Sequence, residues 1–250
     1  MCGADTLVRR LRRLILTSES KAASRFECTR FRSNAADKSV RPTLASMISL
    51  PRLYAILDAS CFPDTAALCL AASELAAGGV TLLQYRNKSG NARQMLEQAR
   101  EVKRRLGNSV KLIMNDRADL CLAAESDGVH VGQDDLSPGG VRKVIGNALW
   151  LGVSTHNPAQ LTEADATTAN YLAIGPVFAT GSKPNPDPVI GLEGVRSARG
   201  LTRKPLVAIG GITRANCHEV IAAGADTVAV ISDLLPEPRK SAEEFFRILG

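Results

Sequence analysis

From Leu53 onward the chain alternates short apolar, β-branched runs with longer stretches whose apolar residues recur every three or four positions. The short runs predict strands over Leu53–Asp58, Leu82–Arg86, Lys111–Asn115, Gly128–Val131, Trp150–Ser154, Tyr171–Gly175, Pro205–Ile209 and Thr227–Ile231. The longer stretches predict helices over Thr65–Ala77, Ala92–Leu106, Ala118–Ala124, Pro138–Ile145, Pro158–Ala166, Leu192–Arg199, Ala215–Ala223 and Ser241–Ile248. Several boundaries carry their own chemistry. Ser137-Pro138 and Asn157-Pro158 each offer a capping oxygen followed by proline at the first helical position, and Gln160 stands where a capping box wants it. Gly78-Gly79, Gly107 and Gly224 read as helix stops.

Strands alternating with helices predict a parallel sheet, and eight such units in about 200 residues fit a single α/β domain, a (β/α)8 TIM barrel. An open doubly wound sheet would want a glycine-rich loop after its first strand, and "AILDASCFPD" has none. No apolar run approaches the roughly 20 residues a membrane span needs.

Composition changes this picture at one end only. Residues 1–50 hold ten of the 31 basic residues and four of the 25 acidic ones, so the remainder carries 21 of each and is neutral. The net charge of +6 thus belongs to the leader, and the body lacks an electrostatic footprint for nucleic acid. Residues 1–46 read as a basic, disordered leader, with a misassigned start before Met47 or a targeting segment as the other readings; 47–250 read as the catalytic domain. The six cysteines show no metal or disulfide spacing, and four fall in or beside apolar segments, so a reducing, cytoplasmic setting is expected.

In a barrel of this kind, chemistry gathers at the carboxyl ends of the strands. Strand 2 ends in Gln84, Arg86 and Lys88, spaced to share one face, and strand 3 in Asn115-Asp116. Strand 4 runs into Gln133-Asp134-Asp135, and strand 5 ends at Ser154. The loop after strand 6 holds Thr180, Ser182 and Lys183; Gly210-Gly211 and Ser232 close strands 7 and 8. Arg86, Lys88 and Lys183 on one rim call for a highly charged anion. Asp116 with Asp134 or Asp135 adds carboxylates, which meet phosphate economically through Mg2+. "VAIGGI" with "VAVIS" suggests a second phosphate site, because glycines let the backbone approach closely.

Blander readings stand beside these. Gln84, Arg86 and Lys88 could be a salt-bridged strand end, Asn115-Asp116 a helix cap, "GQDD" a polar turn and the paired glycines a tight turn. His130 reads as a hydrogen-bonded barrel residue and His218 as a surface residue. His156 is kept as a candidate for a direct role.

The motifs "QYRNK", "MNDRADL", "DGVHVGQDDL", "GVSTHN", "GPVFATGSKPNPDPVIGLEGV", "VAIGGI" and "VAVIS", in this order, resemble the thiamine phosphate synthase family from Leu53 to about Ile231. The resemblance implies transfer of a hydroxymethylpyrimidine group from 4-amino-2-methyl-5-(diphosphooxymethyl)pyrimidine to thiazole phosphate, releasing diphosphate. It implies Mg2+ on Asp116 and Asp135. Arg86, Lys88, Asn115, Ser154 and Lys183 would surround the diphosphate, with Gln84 near the pyrimidine. The thiazole phosphate would meet Gly211, Ile231 and Ser232, with Thr180 and Ser182 in the covering loop. Ser182 departs from the threonine frequent in the family but keeps the hydroxyl. The implied partners are small-molecule substrates; a homo-oligomer is left open. A thiazole tautomerase of the same barrel type is the alternative enzyme. It needs a base such as a histidine and has no use for carboxylates holding a metal. A non-catalytic phosphate-binding barrel is the third reading.

Overall fold

The computed structural model describes residues 48–181 and 187–250. Expectations for residues 1–46, Ser182 and Lys183 lie outside the described residues. Eight strands, β1 (Leu53–Asp58), β2 (Leu82–Arg86), β3 (Lys111–Asn115), β4 (Gly128–Val131), β5 (Trp150–Thr155), β6 (Tyr171–Ile174), β7 (Leu206–Ile209) and β8 (Thr227–Val230), pair in parallel, each with its sequence neighbours. β8 returns to β1, with Leu53 opposite Val228, and the barrel closes. Helices α1 (Thr65–Ala77), α2 (Ala92–Leu106), α3 (Ala118–Ala123), α4 (Pro138–Ile145), α5 (Pro158–Asp165), α6 (Gly191–Leu201), α7 (Cys217–Ala222) and α8 (Pro238–Leu249) connect and follow them.

The expected elements are all present, with ends shifted by a few residues. β7 starts at Leu206 because Pro205 has no N–H to give the ladder, although its carbonyl accepts from Leu172 N at 3.0 Å. α8 starts at Pro238, earlier than expected, with proline in its first turn. Ser137 and Asn157 cap as expected, accepting from Gly140 N at 3.3 Å and Gln160 N at 3.0 Å. Gln160 Oε1 accepts from His156 N, one residue before the cap.

Alternation along the strands makes two cores. Residues such as Leu57, Leu83, Leu112, Val129 and Leu151 face the helices, while Tyr54, Ile56, Leu82, Ile113, Tyr171, Ala173, Val207 and Ala229 fill the barrel. Cys69, Cys121 and Cys217 are buried free thiols in the outer core; Cys61, expected to behave the same way, is exposed on the turn after β1.

A polar fastening recurs at the base of the barrel. Asp127, just before β4, accepts from Leu112 N on β3 and from Lys103 on α2. Asn170, before β6, accepts from Leu151 N on β5 and from Arg142 on α4. Asp226, before β8, does the same for Leu206 N on β7 and Arg199 on α6. Each fastening satisfies an N–H of the first or second residue of a strand and ties the helix behind it, which leaves the opposite end for chemistry.

Candidate active site

Period-2 alternation carries Asp58, Arg86, Asn115 and Ser154 to the inner rim at the carboxyl end. Arg86 Nη1 is ion-paired with Asp58 Oδ2, its register partner on β1. Asp58 also accepts from Ser60 N at 3.0 Å and Ser60 Oγ at 2.7 Å, so its carboxylate is held from two sides. Asp58 is a residue the sequence reading passed over. The signal was available, since Asp58 continues the same face as Tyr54 and Ile56.

Lys88 reaches Asp116 Oδ2. Asp116 adopts φ 61, a left-handed backbone uncommon outside glycine but tolerated by aspartate. Its N–H donates to His130 O at 2.8 Å, which fixes this turn against β4. The capping alternative for Asn115-Asp116 fails: Arg117 occupies the cap of α3, and no side chain bonds there. Burial raises the Asp116 pKa, and the neighbouring Asp135 carboxyl raises it further, against the opposing pull of Lys88. Asp135 turns inward, its Oδ2 accepting from Gly132 N at 2.8 Å, whereas Asp134 is exposed. The open choice between the two aspartates thus falls on Asp135 as the neighbour of Asp116.

The side-chain amide nitrogen of Asn115 is buried at this rim without a hydrogen-bond partner. Such a donor costs about 1–3 kcal/mol unless something accepts from it, so it marks a place for a ligand oxygen or nitrogen.

Gln84 corrects one expectation. It sits inside the barrel and not at the rim beside Arg86, 3% exposed, and donates through Nε2 to Tyr54 Oη at 2.8 Å. Strand β2 descends by two residues between Arg86 and Gln84, so a shared face does not mean a shared depth. Lys88 lies beyond the strand end. Arg86 and Lys88 both have carboxylate partners, Asp58 and Asp116, the ion pairing that the blander reading of this strand end allowed for.

Ser154 is half-buried, with Oγ 2.8 Å from His130 Nε2. His130 lies in the interior, as expected, and its Nδ1 is 3.1 Å from Tyr171 Oη. Burial pushes its pKa down to about 4, so the ring is neutral at pH 7. His156 instead bonds Gly175 O through Nδ1 at 2.6 Å, with Nε2 3.5 Å from an Asp187 carboxylate oxygen. His218 is exposed on α7.

On the opposite rim, Gly210 and Gly211 have φ 100 and φ 63, and a Cβ on either would strike Pro176 or the Phe178–Ala179 segment. The turn after β7 therefore requires glycine for its own packing. Asn216 Nδ2 donates to Gly211 O at 3.1 Å, and Arg214 binds Asp233 and Glu244, fastening this turn to Ser232–Leu234 and α8. Ile231 packs against the interior cluster, Ser232 opens the single turn after β8, and Thr180 is half-buried in the loop after β6.

Among the described residues no group of three or more His, Cys, Asp and Glu side chains gathers as a metal cluster. The Asp116–Asp135 pair nonetheless fits Mg2+, which takes one or two carboxylates and completes its shell with water and phosphate oxygens. Two adjacent carboxylates, one with a raised pKa, are a donor set that a divalent cation would relieve.

Comparison with known proteins bears on the same segment. The family model described as "Thiamine monophosphate synthase" matches residues 53–234. A protein named thiamine-phosphate synthase from Koribacter versatilis is 63% identical over 209 residues, 82% of this chain and 99% of the relative. One of the same name from Chloroflexus aurantiacus is 46% identical, over 72% of this chain and 83% of its own. Among solved structures, thiamine phosphate pyrophosphorylase from Pyrococcus furiosus superposes with a TM-score of 0.71 at 32% identity, covering 79% of this chain and 95% of that one.

Proposed function

The chain belongs to the thiamine monophosphate synthase family and is a transferase, and from that premise we propose that it joins the pyrimidine diphosphate to thiazole phosphate, forming thiamine phosphate and diphosphate. The observation that carries this reading is the rim where Asp116 and Asp135 lie side by side with Lys88 on one of them. Beside them stands the buried amide of Asn115, a donor awaiting an acceptor.

In this reading Asp116 and Asp135 hold Mg2+, which when bound neutralises charge on the departing diphosphate. Arg86, Lys88 and Lys183 bind the diphosphate oxygens, and Asn115 and Ser154 donate to the same group. The aminopyrimidine stabilises a benzylic-type cation, so the C–O bond breaks with the diphosphate leaving before the thiazole nitrogen attacks. Gln84 orients the ring from inside the barrel. Gly211, Ile231 and Ser232 seat the thiazole phosphate, with Thr180 and Ser182 over it, which keeps the nucleophile within reach. No protein base is needed, because the thiazole nitrogen carries no proton to lose: its lone pair forms the new C–N bond and leaves a quaternary thiazolium, while the diphosphate departs with the electrons of the broken C–O bond. A cytoplasmic setting suits the free buried thiols. Among the described residues no helix is long and apolar enough to cross a membrane.

The test is incubation of the purified chain with both substrates, with and without Mg2+, following thiamine phosphate. Product that depends on both substrates and the metal supports the reading; no product under any metal overturns it.

A further inference from the structure

A chain of hydrogen bonds crosses the barrel interior from Gln84 to the rim. Gln84 Nε2 donates to Tyr54 Oη at 2.8 Å, Tyr54 Oη is 3.1 Å from Tyr171 Oη, Tyr171 Oη is 3.1 Å from His130 Nδ1, and His130 Nε2 is 2.8 Å from Ser154 Oγ. Tyr54, Tyr171 and His130 are buried, and nothing in the proposed chemistry uses them. The contact between the last two is also built for: a Cβ at Gly152 would overlap both the Tyr171 phenol and the His130 ring.

The direction of the protons follows from the first bond. Tyr54 Oη accepts from Gln84, so its own proton must go to Tyr171, or it would be left buried without an acceptor. The Tyr171 proton then goes to His130 Nδ1. An imidazole that accepts on Nδ1 carries its proton on Nε2, and that proton goes to Ser154 Oγ. Ser154 therefore keeps its own hydroxyl proton available for the mouth. Turning the Gln84 amide over would reverse every bond, and the Ser154 proton would be spent on His130.

We infer that Tyr54, Tyr171 and His130 are positioning residues, a relay that ties the amide orientation of Gln84 to the direction of the Ser154 hydroxyl. The inference rests on the proposed function, in which Gln84 meets the pyrimidine and Ser154 the diphosphate. With Nε2 committed to Tyr54, Gln84 offers Oε1 to the ring and accepts from its amino group. A ring that donates there holds Ser154 as a donor to the leaving oxygen, so recognition at one wall sets the donor at another.

The experiment is a double-mutant cycle with Tyr171→Phe and Ser154→Ala in the full chain, since phenylalanine keeps the ring and removes the link. Tyr171→Phe should lower kcat about tenfold, the worth of one aligned hydrogen bond, with KM for both substrates within about twofold. In the Ser154→Ala background it should lower kcat no further. Equal losses in both backgrounds, or no loss in either, would overturn the relay. Should Tyr171→Phe fail to fold, Tyr54→Phe breaks the chain one step earlier and is read the same way. The second readout is independent of turnover: 15N spectra should give the His130 proton on Nε2 in the unliganded wild-type chain. A proton on Nδ1 would overturn the inference. If the wild-type chain makes no thiamine phosphate, the proposed function fails while the spectrum still decides the direction of the chain.

Discussion

Arg86 and Asp58 are register partners on adjacent strands and form an ion pair just inside the barrel mouth. The Asp58 side chain is 6% exposed and that of Arg86 21%, so neither charge has much water to fall back on. Asp58 thus sets where the guanidinium rests before any anion arrives. In the proposed function it is a positioning residue for Arg86, and it turns an isolated cation into one arm of a fixed array.

Asp58→Asn should cost about 2 kcal/mol of stability, below the roughly 3–5 typical of a fully buried pair because Arg86 keeps some exposure. The measurement is the urea midpoint at unchanged slope. Asp58→Asn combined with Arg86→Met should recover much of the loss, because no unpaired charge remains. A double variant as unstable as the sum of the singles would show that the pair is not what Asp58 supplies.

Asp135→Ala should leave the far-UV spectrum and cooperative unfolding intact, since Asp135 is half-buried in a loop, where its carboxylate bonds Gly132 N and stands beside Asp116. Diphosphate release should fall by about 1000-fold, the several kcal/mol expected when a metal-held leaving group loses its ligand. Near wild-type release by this variant would remove Asp135 from the metal site, and with it the reason for pairing it with Asp116.

The barrel was legible in the sequence because each strand is short, apolar and bounded by caps and glycines that name its ends. Arg86, Asn115 and Ser154 were legible as rim residues through the same alternation. What the pattern hid was depth and pairing. Gln84 looked like a rim residue because period 2 reports the face and says nothing of the layer. Tyr54 and Tyr171 looked like plain core, since an aromatic on a buried strand gives no sign that its hydroxyl is engaged. Asp58 escaped notice because "LYAILD" reads as one apolar run whose final residue could as well begin a loop.

His130 gives stability a pH dependence whose sign is fixed by its lowered pKa of about 4. Between that value and the usual 6.5 the unfolded chain binds a proton that the folded chain refuses, so stability falls as pH drops through this window. The contribution of this group should fall by about 2 kcal/mol from pH 7 to pH 5. Denaturant curves of wild type and His130→Gln at the two pH values give the comparison: the glutamine variant should lose less on acidification by about that amount. Parallel losses in the two proteins would place His130 in a wetter, less restrictive environment than the barrel interior.

Gly152→Ala probes the same interior from its tightest point. The added methyl group would overlap the Tyr171 phenol and the His130 ring, which stand on neighbouring strands and cannot both retreat without opening the barrel. Overpacking of this kind costs about 1–3 kcal/mol, read from the denaturation midpoint. The origin of the cost separates it from a general intolerance of alanine in a strand. Tyr171→Leu removes the ring that the methyl group meets, so the double variant should be more stable than the summed single losses by about 1 kcal/mol or more. Strict additivity would mean that the methyl group is accommodated elsewhere, and that Gly152 is not what lets the tyrosine and the histidine meet.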